Sequence, residues 1–339
     1  MTVDLGLSAD QEAIGELFDN FFTNESPTTV ARASEPLGFD ATLWSKVIEL
    51  GAPGMGSSPD VGGGGASLGD LVVVAESFGR AIAPVPLVEH LAALTLLTDA
   101  DLIAGDAIAG VALQPAGADG IFSLVPNGAI ANVIVGVDGN ETVAVRSTPP
   151  MQGPPNHACA PIADRSAREG DRVVLGPSSL FSAVLDRWRV LSAASLVGIA
   201  DAAKKLGVEY VKEREQFGVP IGSFQAVQHG LADLPVVIDG ARLLTHKAAW
   251  ALDSVEDGII DWENNDITDG STLATMAFLF AADAAVMATD RSLHYHGGYG
   301  FAEEYDIQLY YRRARGWSLI AGDPSDIALD LATQLMGPA

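Results

Sequence analysis

Positive charge is scarce in this chain and gathered where it could hold an anion. The 339 residues carry 19 Lys and Arg against 44 Asp and Glu, a formal net charge of −25. Arg187, Arg189, Lys204, Lys205, Lys212 and Arg214 fall in one stretch, Arg312, Arg313 and Arg315 in another. A guanidinium offers planar paired donors that match phosphate or carboxylate oxygens. Lys204 and Lys205 read more simply as surface partners of neighbouring helix acids. His294 and His296 form an H-x-H pair with no third ligand in view, so no metal site is expected. Gly62 to Gly65 resemble a phosphate loop only in composition. No Lys-Ser/Thr follows them and no strand-like run precedes them, so a turn between helices is expected.

The same composition excludes whole classes. A chain 48% hydrophobic is not intrinsically disordered. The acidic surface would be repelled by a duplex or an anionic membrane, so neither is an expected partner. Cys159 is the only cysteine, which rules out an intrachain disulfide and fits a reducing, cytoplasmic setting. The first residues lack the basic and apolar regions of a secretory leader. The most apolar run, Leu273 to Thr289, is interrupted by Asp283 and falls short of the ~20 residues of a membrane span. A buried helix is expected there.

Three textures would position these residues. Ser8-Ala-Asp-Gln11 is a capping-box pattern before Ile14, Leu17, Phe18, Phe21 and Phe22 at helical spacing. Further helices are expected over Ala41–Leu50 (with Leu43, Trp44, Val47 and Ile48 inward), Leu71–Gly79 and Pro86–Leu97, with Ser67 a helix start. From about Ala109, β-branched runs separated by Gly, Pro and Asn predict strands over 108–113, 129–137, 142–146 and 172–175. Helical spacing returns from about Ser179. One long helix is expected over Arg189–Arg214, then a turn at Gly218–Gly222. Another helix runs from Gln225, bent at Pro235; others cover Thr272–His294 and Ser325–Leu335. The layout is mainly α with a small β domain: 1–108 helical, 109–178 β, 179–339 a helical bundle.

Two segments carry a resemblance. Arg214-Glu-Gln-Phe-Gly-Val-Pro-Ile-Gly-Ser-Phe-Gln-Ala-Val-Gln-His-Gly-Leu-Ala-Asp is similar to the signature R-x-x-F-G-x-x-[IL]-x-x-x-Q-x-[VI]-x-x-x-[LM]-A-[DE] of the acyl-CoA dehydrogenases. His294-Tyr-His-Gly-Gly-Tyr-Gly-Phe, followed by the Arg-rich run to Arg315, resembles the family's Q-x-x-G-G-x-G-[FY]. Weaker matches reach Leu43-Trp44, Gly51-Ala-Pro-Gly and Glu76-Ser-Phe-Gly-Arg-Ala, so the resemblance covers most of the chain. It implies an N-terminal helical domain, a reduced middle β domain and a C-terminal four-helix bundle. In the family, the two motifs of one subunit reach across an interface to FAD held mainly by its neighbour. By resemblance, Arg214, Gln216, Phe217, Phe224, Gln225, His294, Gly297 and Gly298 would face that FAD. His294 stands where the family usually has Gln; either side chain can donate one hydrogen bond. Read singly, these residues have plainer roles: Arg214 closing a helix, Phe217 in a core, the glycine pair in a tight turn.

The family's reaction needs a carboxylate over the substrate α-carbon, and the sequence lacks it at both usual places. Alignment puts Gly322 at one Glu position and Trp188 at the other, with Asp323 the nearest displaced candidate for a base. The middle domain departs too. Ala112-Leu-Gln-Pro-Ala-Gly-Ala-Asp-Gly stands where the family has T-E-P-x-x-G-S-D, the strands are shortened, and no W-I-T-N-like segment is evident. The chain therefore resembles the smaller subunits of α2β2 acyl-CoA dehydrogenases of actinobacteria, in which the other chain carries the base and most of the FAD site. That resemblance implies a Glu-bearing partner chain, an acyl-CoA substrate of the steroid side-chain type, and electron-transfer flavoprotein as acceptor. The alternatives are a self-sufficient homo-oligomeric flavoenzyme using Asp323, or a scaffold that no longer handles FAD.

Overall fold

A computed structural model describes residues 5–256 and 269–337. The first four residues of the stretch read for a leader lie outside the described residues. Helix α1 (Ala9–Glu25) opens with the expected capping box, Gln11 N donating to Ser8 Oγ at 3.2 Å and Ser8 N to Gln11 Oε1 at 3.1 Å. Helices α2 (Thr28–Ala33) and α3 (Ala41–Glu49) follow, α3 burying Leu43, Trp44 and Val47. The four glycines form a turn whose amides are already used. Gly63, Gly64 and Gly65 donate to Ser58 O, Gly54 O and Ser57 O, leaving no cradle for a phosphate. Ser67 then caps α4 (Leu68–Ala81).

The run expected as one helix over 86–97 stops early. Helix α5 spans Leu87–Ala93 and the chain turns before α6 (Ala100–Ala104). The run is buried on nearly all sides, so its hydrophobicity marks no end point.

Six strands make the β layer: β1 (Ala109–Val111), β2 (Ile121–Val125), β3 (Val133–Asp138), β4 (Glu141–Arg146), β5 (Ala163–Ser166) and β6 (Asp171–Pro177). One sheet has the order β1-β3-β4-β6, with β1 parallel to β3 and the other pairs antiparallel; β2 and β5 pair separately. The expected strand over 129–137 is half turn, because Ile130 and Ala131 fold back to donate to Asn127 O. β2 and β5 are absent from the sequence reading. β5 is polar, and its Arg165 is buried by donating to Gly128 O and Ala131 O, both at 2.7 Å.

The C-terminal bundle is built on α7 (Phe181–Glu213), which starts earlier than the apolar spacing from Arg189 suggests and includes Trp188. A two-residue hairpin of β7 (Glu215–Gln216) and β8 (Val219–Pro220) leads to α8 (Gln225–Glu256), which continues through Pro235. Helices α9 (Gly270–His296), α10 (Ile307–Leu319) and α11 (Pro324–Met336) complete the layer. Helix α7 packs on α4, α8, α9 and α10 and so joins the N-terminal helices to the bundle. It crosses α4 closely because a β-carbon on Gly79 would strike Ser195 O, and one on Gly198 would strike Glu76 O.

Among the described residues, one helix, that from Gly270, is apolar and long enough to cross a membrane by length and composition. Most of that apolar stretch is buried inside the bundle. Lys204 pairs with Asp201 at 2.6 Å, the surface role its helical spacing suggests.

Candidate functional site

Two places concentrate chemistry: an exposed edge of the bundle and a closed cleft. The edge starts where α7 ends. Arg214 caps that helix through its backbone, its N donating to Tyr210 O at 2.9 Å, while its side chain lies in solvent. Its guanidinium carbon sits 5.6 Å from the centre of the Tyr299 ring, a cation–π approach. Tyr299 belongs to an aromatic group with Tyr305, and Tyr210 stacks on His296 at 4.0 Å. The two motifs, 80 residues apart in sequence, thus meet at one edge.

Beyond Arg214, Glu215 pairs with Pro220 and Gln216 with Val219, leaving Phe217 and Gly218 as the turn. Both have positive φ, 55° and 81°. That matches the turn favoured by hairpin twist, but a bulky side chain there is strained by about 1–2 kcal/mol. Phe217 is nevertheless 94% exposed, touching Phe224 edge-on at 6.3 Å. The core role read for it in isolation is therefore wrong. Among the described residues the edge-on contact with Phe224 is its one ring contact, little to set against the strain, and such an outlier points to a functional position.

Gln216 and Gln225 are exposed on the same segment, Gln225 opening α8. His294 is exposed near the end of α9. His296 is buried, with Nδ1 2.7 Å from Ser292 O, so the H-x-H pair points in two directions. Among the described residues no His, Cys, Asp and Glu cluster could hold a metal. Gly297 (φ 62°) and Gly298 end α9 with open space where a β-carbon would stand. Exposed donors, an exposed aromatic and bare glycine backbone along one edge fit the distal part of a dinucleotide cofactor.

The cleft lies where α4, α5, the β layer, α7 and α10 meet, and is lined by Phe78, Val88, Glu89, Asn127, Trp188 and Trp317 among others. Its cavity is about 60 Å³, far below the ~300–1,000 Å³ of ordinary ligand pockets. Trp188 is 1% exposed and fills it from α7, tilted against Phe278 at 5.3 Å. The β layer is clamped onto α10. Trp317 Nε1 donates to Ala158 O at 3.1 Å, Gln114 Nε2 to Ala321 O at 2.9 Å, and a β-carbon on Gly316 would collide with the backbone of Ala158. A flavin ring does not fit between these walls.

Leu319, Ile320, Ala321 and Gly322 offer no side chain that takes a proton. Asp323 caps α11, its Oδ1 accepting from Ser325 N at 2.8 Å, and does not line the cleft.

Sequence reasoning passed over Glu89, the acid that does line the cleft. Its carboxyl accepts from Asn127 Nδ2 at 2.7 Å and Trp188 Nε1 at 3.2 Å, tying the β layer and α7 to α5. Burial pushes its pKa up, against the lowering effect of those bonds. A usable signal existed: in the apolar run from Pro84 to Leu97, Glu89 is the only acid. Its neighbour His90 is fully buried between Leu102 O and Ala109 N, and burial pushes its pKa down to about 4.

A raised carboxyl pKa favours folding below its unfolded-state value, near 4.5, and that contribution is lost as pH rises toward the folded-state value. Glu89→Gln is therefore expected to become more stable relative to wild type as pH rises from about 4.5 to 8, measured by urea unfolding at each pH. A difference independent of pH would contradict the assignment.

Family models match at both ends: acyl-CoA dehydrogenase, N-terminal domain, over residues 8–100, and acyl-CoA dehydrogenase, C-terminal domain, over residues 179–336. The chain is 34% identical over 315 residues to acyl-CoA dehydrogenase IpdE2 of Mycolicibacterium smegmatis, covering 89% of this chain and 90% of that one. It is 30% identical over 308 residues to IpdE2 of Mycobacterium tuberculosis, covering 88% of each. Among solved structures, the Tcur3481-Tcur3483 steroid ACAD G363A variant superposes with a TM-score of 0.83 at 26% identity, covering 98% of both chains. The ChsE4-ChsE5 complex from Mycobacterium tuberculosis shares the fold, with a TM-score of 0.84 at 21% identity over 99% of this chain and 100% of that one. With this fold and both terminal domains matched, the chain belongs to the acyl-CoA dehydrogenase family of flavin-dependent oxidoreductases.

Proposed function

We propose that this chain is the partner subunit of a heteromeric acyl-CoA dehydrogenase, completing the FAD site of a second chain that carries the catalytic Glu. The observation that carries this reading is Phe217, strained and 94% exposed on the hairpin beside Arg214. It is an edge built for something outside the chain.

In the assembled site, Arg214 would hold diphosphate oxygens, a task for which a planar guanidinium is suited. Gln216, Gln225 and His294 would add neutral hydrogen bonds, and Phe217 and Phe224 would shield the adenosine half from water. Gly297 and Gly298 would let backbone approach without a β-carbon between. FAD supplies the hydride acceptor for α,β-desaturation of the acyl thioester. The base for the α-proton comes from the partner, since neither Trp188 nor Gly322 can take one. The steroid-type acyl-CoA substrate is supported by the name of a solved structural neighbour of this chain, a steroid ACAD, and electron-transfer flavoprotein is the proposed acceptor. A homo-oligomeric enzyme using Asp323 has no observation in its favour, because that carboxylate is spent on a helix cap.

The test is activity by mixing. The chain alone is expected to leave an artificial electron acceptor unreduced with any acyl-CoA, and to support turnover only when co-produced with a Glu-bearing dehydrogenase chain. Turnover by the pure chain would overturn the proposal.

A further inference from the structure

The cleft that does not fit a flavin still holds a buried cation with too little negative charge beside it. Arg313 on α10 is 2% exposed and lines the cavity. Its two terminal nitrogens each lie 3.4 Å from Glu35 Oε1, and Nη1 lies 3.4 Å from Leu309 O. All three contacts are at the long limit of hydrogen bonding. The same Glu35 oxygen is taken at 2.7 Å by Arg312 Nη2 and approached at 3.3 Å by the Cys159 thiol. Arg312 Nη1 also reaches Glu35 Oε2 at 3.3 Å.

Two guanidiniums thus share one carboxylate, and the better bonds go to Arg312, the one nearer water at 25% side-chain exposure. The excess charge rests on the guanidinium that water reaches least. Glu89, the other acid of the cavity, has its carboxyl oxygens engaged by Asn127 Nδ2 and Trp188 Nε1 rather than by Arg313. A buried charge without a full partner is costly, and a small void lies against this one. Much of the remaining wall is apolar: Phe78 and Trp317 stack at 5.6 Å with 12° between their planes, beside Val88 and Ile320, while Ser192, Ser195 and Asn127 add neutral polar groups.

We propose that this cavity binds a small carboxylate, its oxygens on the Arg313 guanidinium and a short alkyl tail against Phe78, Trp317 and Ile320. The volume of about 60 Å³ restricts the tail to a few carbons. The site needs neither flavin nor the partner chain, so it stands or falls apart from the subunit reading.

The full chain, in chloride-free buffer, is titrated with butyrate, butyramide and chloride while Trp fluorescence and the thermal midpoint are followed. Butyrate is expected to bind saturably, at least tenfold tighter than either control, and to raise the midpoint as a ligand of the folded state does. Arg313→Met, which keeps the stem and removes the charge, is expected to abolish the response. Ile320→Phe, which narrows the cavity, is expected to keep acetate binding and lose butyrate. Because the wild-type series needs no variant to fold, it decides alone. Equal response to butyramide would make the cavity merely apolar, equal response to chloride would remove the carboxylate, and no saturable response would remove the site.

Discussion

Arg214→Ala is expected to weaken FAD retention in the assembled complex by roughly ten- to a hundredfold. The range follows from about 1.5–3 kcal/mol for a hydrogen bond to a charged group, with tenfold for every 1.4 kcal/mol. The chain's own stability should barely change. Arg214 is exposed, and its guanidinium approaches the Tyr299 ring, a contact worth about 0.5–1 kcal/mol at such a site. A loss of flavin without a loss of fold separates a cofactor contact from a helix cap. Arg214→Lys keeps the charge but not the paired geometry and is expected to recover only part of the affinity. The measurement is FAD remaining after gel filtration of the complex, alongside the thermal midpoint of the isolated chain. Unchanged flavin content in Arg214→Ala would remove Arg214 from the site.

Trp188→Ala is the substitution expected to cost most stability. The indole is 1% exposed and packs on Phe278. Its loss leaves a cavity worth roughly 3–5 kcal/mol and takes one donor from Glu89. Free indole should restore part of the loss, because the vacated space has the shape of the missing ring. If Trp188 only fills the cleft, the variant should retain turnover in the complex at temperatures where it remains folded. Unfolding free energies from urea titration, with and without indole, are the readout. A cost below about 1 kcal/mol would mean that the cleft is not sealed by this residue.

The elements most legible in the sequence were those with local signals. Ser8 and Gln11 announce α1 through a capping box that needs only four residues, and Ser67 does the same for α4. The exposed edge was legible because Arg214 through Gln225 and His294 through Gly298 keep family spacing on helix ends. What escaped was whatever depends on distant partners. β5 is a polar tetrapeptide that becomes a strand because Arg165 satisfies carbonyls of the 128–131 turn. α10 hides behind its arginines, since Glu35, far away in sequence, is the acid that Arg312 and Arg313 share. Glu89 escaped because nothing local tells a buried acid from a surface one; its donors come from residues 127 and 188. Asp323 misled in the opposite sense. Its nearness to the family's Glu position drew a catalytic reading, whereas Pro324 and Ser325 right after it are the marks of a helix start.

The most direct measurement is FAD per chain, by absorbance and native mass spectrometry, for the chain produced alone and in complex with a Glu-bearing dehydrogenase chain. The account predicts a colourless chain when alone and about one FAD per pair of unlike chains in the complex. About one FAD per chain in the isolated protein would contradict it.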